Sequence, residues 1–454
     1  MSTLWSPPAA LDELVARLTA GTDPELDVAL VPYDALASAA HARMLTKIGV
    51  LTAAECDAIL DGLRKLAREA RDLESGFEIL ASEEDGHTAI ENRLTATLGD
   101  AGKKIHTGRS RNDQVIAALR LWSREAVLTL ARELLETSST LTRLAGEHAE
   151  TSMPGYTHTR QAMPTTLGHF FAAAADTLLD EMPWLRAAFE HVNRSPLGSA
   201  SGFGVALDLD RDMVSEELGF SGVQRNTLAV QNDRGRSESL VLAVAASVAT
   251  DLGRLSADLI RFSSEEAGFL TLGPTTTTGS SIMPQKRNPD VLEIIRSSAT
   301  RCRALQSEVA GIYGGLGFGY HRDLQLTKEP LLRGVALATD CAAALGRLLE
   351  SLQVDAETCR NAVLPSTAAT DAVYRRVGQG EPFRDAYRAT AADPETAYAG
   401  DPAESWRART HTGAPGDRDL DYLDGALASE REWVETKVEA TAAVWRSFER
   451  NRSE

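Results

Sequence analysis

The sequence predicts an all-α protein built on a central bundle of long helices, and three observations predict it. Apolar residues recur at the helical period over segments far longer than an ordinary strand. Alanine and leucine are abundant, while aromatic residues make up only 6% of the 454 positions, a composition that favours helix. No sustained period-two alternation runs along the chain. A chain of this length can hold several domains and bury a large core.

Residues 1–110 alternate short helical patterns with polar breaks and are expected to form an N-terminal helical domain. Within it, Thr52 and Glu55 fit a capping box that opens a helix through Leu66. From Asp113 to about Glu150 the pattern lengthens, through Val115, Leu119, Trp122, Val127, Leu130 and Leu134. Residues 160–190 and 235–270 repeat it, the latter through Leu240, Val244, Val248, Leu252, Leu255 and Leu259. Two more long helices are expected from Pro289 to Ile312 and from Glu329 to Leu352. Residues 111–360 are therefore read as a central long-helix domain. Several of its helices are apolar or small around much of their circumference, and one chain offers limited cover for them, so bundles are expected to associate between subunits. Residues 361–454 are read as a smaller C-terminal helical domain, punctuated by Pro365, Gly378–Pro382, Pro402 and His411–Gly416, with fraying expected in the terminal ERNRSE.

Charge and composition exclude some partners. A net charge of -18 argues against nucleic acid or an anionic membrane as the main partner, yet it leaves room for a local basic pocket. Cys56, Cys302, Cys341 and Cys359 are scattered without CxxC or Cys/His spacing, so neither a disulfide framework nor a zinc site is expected. The first residues lack a basic stretch followed by an apolar core, which gives no signal-peptide pattern. The most apolar run, Leu240 to Ala249, is too short to span a bilayer. A cytoplasmic protein is the expectation.

Chemistry concentrates in a few motifs. Thr278 to Asp290, TGSSIMPQKRNPD, lies between two long helical patterns. It gathers Ser280, Ser281, Lys286 and Asn288 among Gly279, Pro284 and Pro289, which makes a shaped loop rather than a helix. Such a concentration of donors and positive charge suits an anionic substrate whose charge grows during reaction. His106 to Asp113, HTGRSRND, precedes a long helix, and backbone amides at a helix start favour anions. There Ser110, Arg111 and Asn112 add side-chain donors, while Asn112 or Asp113 is the expected cap. Gly155-Tyr156-Thr157-His158 sets a hydroxyl beside a residue able to act as acid or base. Tyr320 to Lys328, YHRDLQLTK, spaces Tyr320, Gln325 and Lys328 to reach one ligand.

Together these motifs resemble the argininosuccinate lyases, a branch of the fumarase/aspartase superfamily whose members eliminate fumarate from a succinyl compound. HTGRSRNDQ is matched without change from His106 to Gln114, GYTH at 155–158, and the loop except at Arg287, where a lysine is common. Tyr320, Arg322–Gln325 and Lys328 match the fourth motif, and weaker similarity runs through Asp34–Ser38, Glu84–Thr88, Pro196–Ser199 and Pro382–Arg384. The resemblance covers residues 30 to 390 approximately. It implies that Ser280, in the catalytic loop 275–290, is the base and that Lys286 and Asn288 hold the carboxylate whose charge grows. It makes His158 the acid partner, oriented by Glu293. Ser110, Arg111, Asn112 and Thr157 would bind the succinyl part, and Ser38, Tyr320, Gln325 and Lys328 the amino-acid end. No metal or organic cofactor is implied, and the family forms homotetramers whose sites combine motifs from different subunits.

The chain departs from that pattern in places. Leu4-Trp5 runs into Ser6-Pro7-Pro8, residues 232–236 read Asn-Asp-Arg-Gly-Arg, and Leu326-Thr327 replaces an acidic pair. These changes spare the elimination chemistry and fall nearer the recognition of the leaving amine. The implied reaction is reversible release of fumarate from L-argininosuccinate to give L-arginine. The rival readings are a related lyase acting on another N-succinyl amine of the aminopolycarboxylate type, and a crystallin-like scaffold without activity. Retention of Ser280, Lys286, Asn288 and His158 weighs against the scaffold.

Overall fold

A computed structural model describes residues 12–450 except 73 and 81. The departure at Leu4–Trp5 and the last residues of the expected fraying tail lie outside the described residues.

The N-terminal helices are α1 (Glu13–Ala20), α2 (Val31–Lys47), α3 (Ala53–Arg71) and α4 (Gly86–Leu98). Then come α5 (Arg111–Glu147), the hairpin β1 (Ser152–Thr157) and β2 (Arg160–Thr166), and helices α6 (Leu167–Leu179) and α7 (Met182–Val192). The bundle continues with α8 (Arg236–Phe262), α9 (Asp290–Gly314) and α10 (Lys328–Glu350). Short strands punctuate it: β3 (Leu270–Thr271) pairs with β6 (Gln353–Val354), and β4 (Thr278–Gly279) with β5 (Arg287–Asn288). Shorter helices such as Ala369–Gly378 and Phe383–Ala391 lead to α11 (Asp421–Glu449). The expected helical architecture is what the chain adopts.

Helices α5, α8, α9 and α10 lie against one another. Leu130 and Leu134, Val248 and Leu252, Ile295, and Leu331 and Leu345 close their shared core. A second core holds α2, α3 and α4 together through Leu45, Ile59, Leu63, Ile90 and Leu94. Helix α11 touches both, with Leu427 and Val434 in the first core and Phe448 in the second. Arg64 Nε donates to the Phe448 carbonyl at 2.7 Å.

Several expectations need correction. The Thr52–Glu55 capping box is present, but its helix continues to Arg71, because its apolar face persists past Leu66. The cap of α5 is Ser110, not Asn112 or Asp113. Asp113 instead reaches back from the third helical position to the Ser110 amide at 2.9 Å, the reciprocal arrangement of a capping box. Residues 160–190 are not one helix, since β2 occupies the first part and a break at Asp180–Glu181 separates α6 from α7. The hairpin escaped notice because its two-residue turn is His158-Thr159, at φ 53° and 62°. Such turns ordinarily announce themselves with Asn-Gly. Finally, α8 is long and apolar enough by length and composition to cross a membrane, although its most apolar ten residues are not. Burial within the bundle covers 61% of its most apolar window, which accounts for that composition.

Candidate active site

At one end of the bundle the N-termini of α4, α5, α8 and α10 converge. Arg111, Asn112, Tyr320, Gln325 and Lys328 line one cavity of about 90 Å³ there, together with Asp23, Asp85, His87, Val115, Arg234 and Arg322. Helix N-termini carry partial positive charge and exposed amides, so this convergence favours an anionic ligand before any side chain is counted.

Local structure fixes the side chains. The Ser110 hydroxyl accepts the Asn112 amide at 3.3 Å, which places Arg111 and Asn112 in the first turn of α5. Arg111 pairs with Asp85, which itself caps α4 by accepting the Thr88 amide at 2.9 Å. Burial would raise the Asp85 carboxyl, but His87, Arg111 and that amide outweigh it and hold it below the usual range. His87 also titrates above its usual value: burial opposes its charge, and the hydrogen-bonded Asp34 carboxylate more than restores it. Gln325 Nε2 donates to the carbonyls of Thr19 and Ala20 at 2.9 and 3.0 Å, fastening the end of α1 beside the cavity. Lys328, at the start of α10, is buried against Asp23 and Asp27.

Ser38 is not with them. It is fully buried on α2, donates to Asp34 at 3.3 Å and accepts from Arg109 Nη1 at 2.7 Å. It supports the HTGRSRND segment from behind the cavity, because its helix turns that face into the N-terminal core.

The remaining candidates lie at the other end of the bundle. Thr157 and His158 are exposed on the β1–β2 hairpin. Arg261, at the end of α8, donates to the Thr159 carbonyl at 3.2 Å and stacks over Tyr156 at 3.9 Å, docking the hairpin there. Gly168 lets α6 approach the end of α5, since a Cβ would lie 2.5 Å from the Ala145 carbonyl. Ser280, Lys286 and Asn288 sit on a second hairpin closed by the Thr278–Asn288 and Gly279–Arg287 pairs. Gly279 is extended there and has no positive φ, so the ladder rather than glycine's freedom shapes this loop. The Ser280 Oγ accepts the amides of Ile282 and Met283 at 3.3 and 3.0 Å. Asn288 Nδ2 donates to the Gly279 carbonyl at 3.4 Å, and Lys286 is exposed. Glu293 is exposed in the first turn of α9, and no hydrogen bond or ion pair among the described residues joins it to His158.

The two groups are far apart within one chain. Helix α8 has 27 residues, so about 40 Å separates the Arg234 end from the Arg261 end. Helix α9 has 25 residues between the Ser280 hairpin and the Tyr320 motif, about 37 Å.

The structure adds residues to which the motifs gave no role. Asp23, Asp85, His87 and Arg322 face the cavity, and their signal was charge that folding leaves buried or paired. The departures from the family pattern prove indirect. Leu326 is 64% exposed and points away, while Thr327 is buried against Arg234 and Glu238. Asn232 accepts the Gly319 amide at 2.8 Å, and Asp233 pairs with Arg120 at 2.7 Å. Only Arg234 of the altered 232–236 segment lines the cavity.

The chain is similar to known proteins over most of its length. A family model described as lyase matches residues 16–303. The argininosuccinate lyase of Sorangium cellulosum (strain So ce56) is 46% identical over 420 residues, covering 92% of this chain and 97% of the relative. That of Thermotoga neapolitana is 38% identical over 388 residues, covering 86% and 97%. Among solved structures, EDDS lyase in complex with formate superposes with a TM-score of 0.80 at 24% identity, covering 97% of this chain and 95% of that one. The last match speaks to fold alone. Identity of this extent over most of the chain settles membership: the chain belongs to the argininosuccinate lyase family.

Proposed function

We propose that the chain catalyses reversible elimination of fumarate from L-argininosuccinate to give L-arginine, as a cytoplasmic homotetramer with shared active sites. One observation carries the reading: the HTGRSRND and YHRDLQLTK motifs line a single cavity at the convergence of helix N-termini. A substrate with several carboxylates is what such a cavity favours.

Chemistry follows from the side chains. Ser280 takes a proton from the succinyl carbon next to a carboxylate, and the electron pair enters that carboxylate as an aci-anion. The carbon–nitrogen bond then breaks, its pair leaving with the guanidino nitrogen, which is protonated as fumarate departs. A serine titrates too high for this unless its alkoxide is stabilised. The Ile282 and Met283 amides, already donating to Oγ, favour that form. Lys286 and Asn288 hold the growing charge, and each well-placed donor contributes roughly 3–4 kcal/mol. Arg111, Asn112 and Thr157 hold the succinyl part, with Ser110 fixing the turn they stand on. His158 is the acid partner, and Glu293 its orienting carboxylate. Tyr320, Gln325 and Lys328 receive the amino-acid end.

Sharing of sites is supported by the distance that α8 and α9 impose between the two groups. The cavity supports it too: at about 90 Å³ it falls short of the roughly 300 Å³ at which small-molecule pockets begin. Another subunit's hairpins would complete it.

The test is ultraviolet detection of fumarate from purified protein given L-argininosuccinate, beside adenylosuccinate, aspartate, malate and an N,N'-disuccinyl diamine. Release from argininosuccinate alone is expected. Release only from another succinyl amine would move the substrate, and silence with all of them from a folded assembly would leave a scaffold.

A further inference from the structure

Lys328 does not stand in the cavity as a lone cation. Its ammonium donates to Asp23 Oδ2 at 2.7 Å and to Asp27 Oδ1 at 2.6 Å, and all three residues are buried. An ammonium has three donors, so one N–H remains for a ligand. The two carboxylates differ in what they face. Asp27 lies behind the cavity, and its other oxygen accepts the Gly86 amide at 3.0 Å to fix the start of α4. Asp23 lines the cavity, and among the described residues only its Oδ2 is engaged.

Neighbouring charges do not change this imbalance. Arg111 is paired with Asp85, Arg234 with Glu238 and Arg322 with Glu84. Two carboxylates around one ammonium leave a local excess of negative charge, which repels a ligand end that is carboxylate alone. An α-amino acid end is different, because it carries an ammonium and a carboxylate on one carbon. The adjacent Asp23 and Lys328 offer opposite charges 2.7 Å apart.

We propose that Asp23 is a specificity-determining residue whose free carboxylate oxygen takes the α-ammonium of the leaving amine, while the third Lys328 N–H takes the neighbouring α-carboxylate. Gln325 Oε1 is a second acceptor for the ammonium, since Nε2 is committed to the end of α1. Burial raises the Asp23 carboxyl above its usual range even with Lys328 beside it, a cost that a bound ammonium relieves. The inference rests on the argininosuccinate lyase reading and adds the residue that recognises the amine.

The experiment compares calorimetric binding of L-arginine with that of its desamino analogue, which keeps the guanidinium and carboxylate but lacks the ammonium. The assembled wild-type protein should prefer L-arginine by roughly 10- to 100-fold, the range of one charged hydrogen bond. Asp23→Asn should erase most of that preference. Asp23→Ser provides the same reading should the amide disturb Lys328. Asp27→Asn removes equal charge from Lys328 behind the cavity and should keep the preference. A wild type without preference, an Asp23→Asn protein that retains it, or equal weakening of both ligands would each overturn the proposal. The last would leave Asp23 as a mere support for Lys328. Fumarate release by the wild type, measured first, separates the two levels. Its absence refutes the reading beneath, whereas release with an unaltered preference in Asp23→Asn refutes only the role of Asp23.

Discussion

Ser280 illustrates how a weak acid is prepared by backbone alone. Two amides converge on its oxygen at 3.0 and 3.3 Å, while no histidine or carboxylate accepts its proton among the described residues. Ser280→Ala should therefore lower kcat by roughly 10²- to 10⁴-fold, the range for loss of a general base, with little change in substrate affinity. Turnover within a few-fold of wild type would remove the serine from that role. His106, in the HTGRSRND motif at the other end of the bundle, shows a different use of environment. Burial first, and then the Arg109 guanidinium, holds it down to about 4. Unfolded, it titrates near 6.5. Between these values the unfolded chain binds more protons, so His106 contributes stability above pH 6.5 that is lost as pH falls toward 4. His41, lowered by burial and Arg109, acts in the same direction. His106→Asn should flatten part of the loss when denaturation midpoints are followed across that window. Equal pH slopes in the two proteins would show that His106 has no share in it.

At the scale of elements, the hairpin carrying Thr157 and His158 matters more than its length implies. Both turn residues have positive φ, and neither is glycine or asparagine. Left-handed conformation costs a β-branched residue about 1–2 kcal/mol. Thr159 contributes its carbonyl to Arg261, an interaction that glycine retains. Thr159→Gly should therefore stabilise the protein by about 1 kcal/mol, read as a higher denaturation midpoint. A lower midpoint would mean that the Thr159 side chain has a contact worth more than the strain. The same turn marks a limit of sequence reading. Long helices were legible because their apolar residues repeat over many turns, as in α5 and α8. This hairpin was not, because His-Thr carries none of the usual signals for its turn. The Ser280 hairpin was recognised as a shaped loop, but its ladder depends on Thr278 meeting Asn288, which composition does not encode.

At the scale of the molecule, the contiguous motifs were easy to read and their spatial grouping was not. Arg111 and Lys328 share a cavity although more than two hundred positions part them, and Asp23 enters it through a buried ion pair that no local pattern announces. Within one chain, α8 and α9 then hold Ser280 and His158 at the opposite end from Asn112 and Tyr320. If active sites are built from several subunits, this separation has a numerical consequence. An Asn112→Ala protein keeps its Ser280, and a Ser280→Ala protein keeps its Asn112, yet each alone is defective at every site. After dissociation and random reassembly of an equal mixture, a site needs Ser280 from one kind of subunit and Asn112 from the other. Each requirement is met half the time, so about one quarter of sites should be intact in a symmetric assembly with heterologous contributions. Fumarate release should recover to about that fraction of wild type. Subunit exchange is verified independently with a tagged variant. Exchange without recovery would mean that each chain completes its own site, which would require the hairpins to cross the length of the bundle.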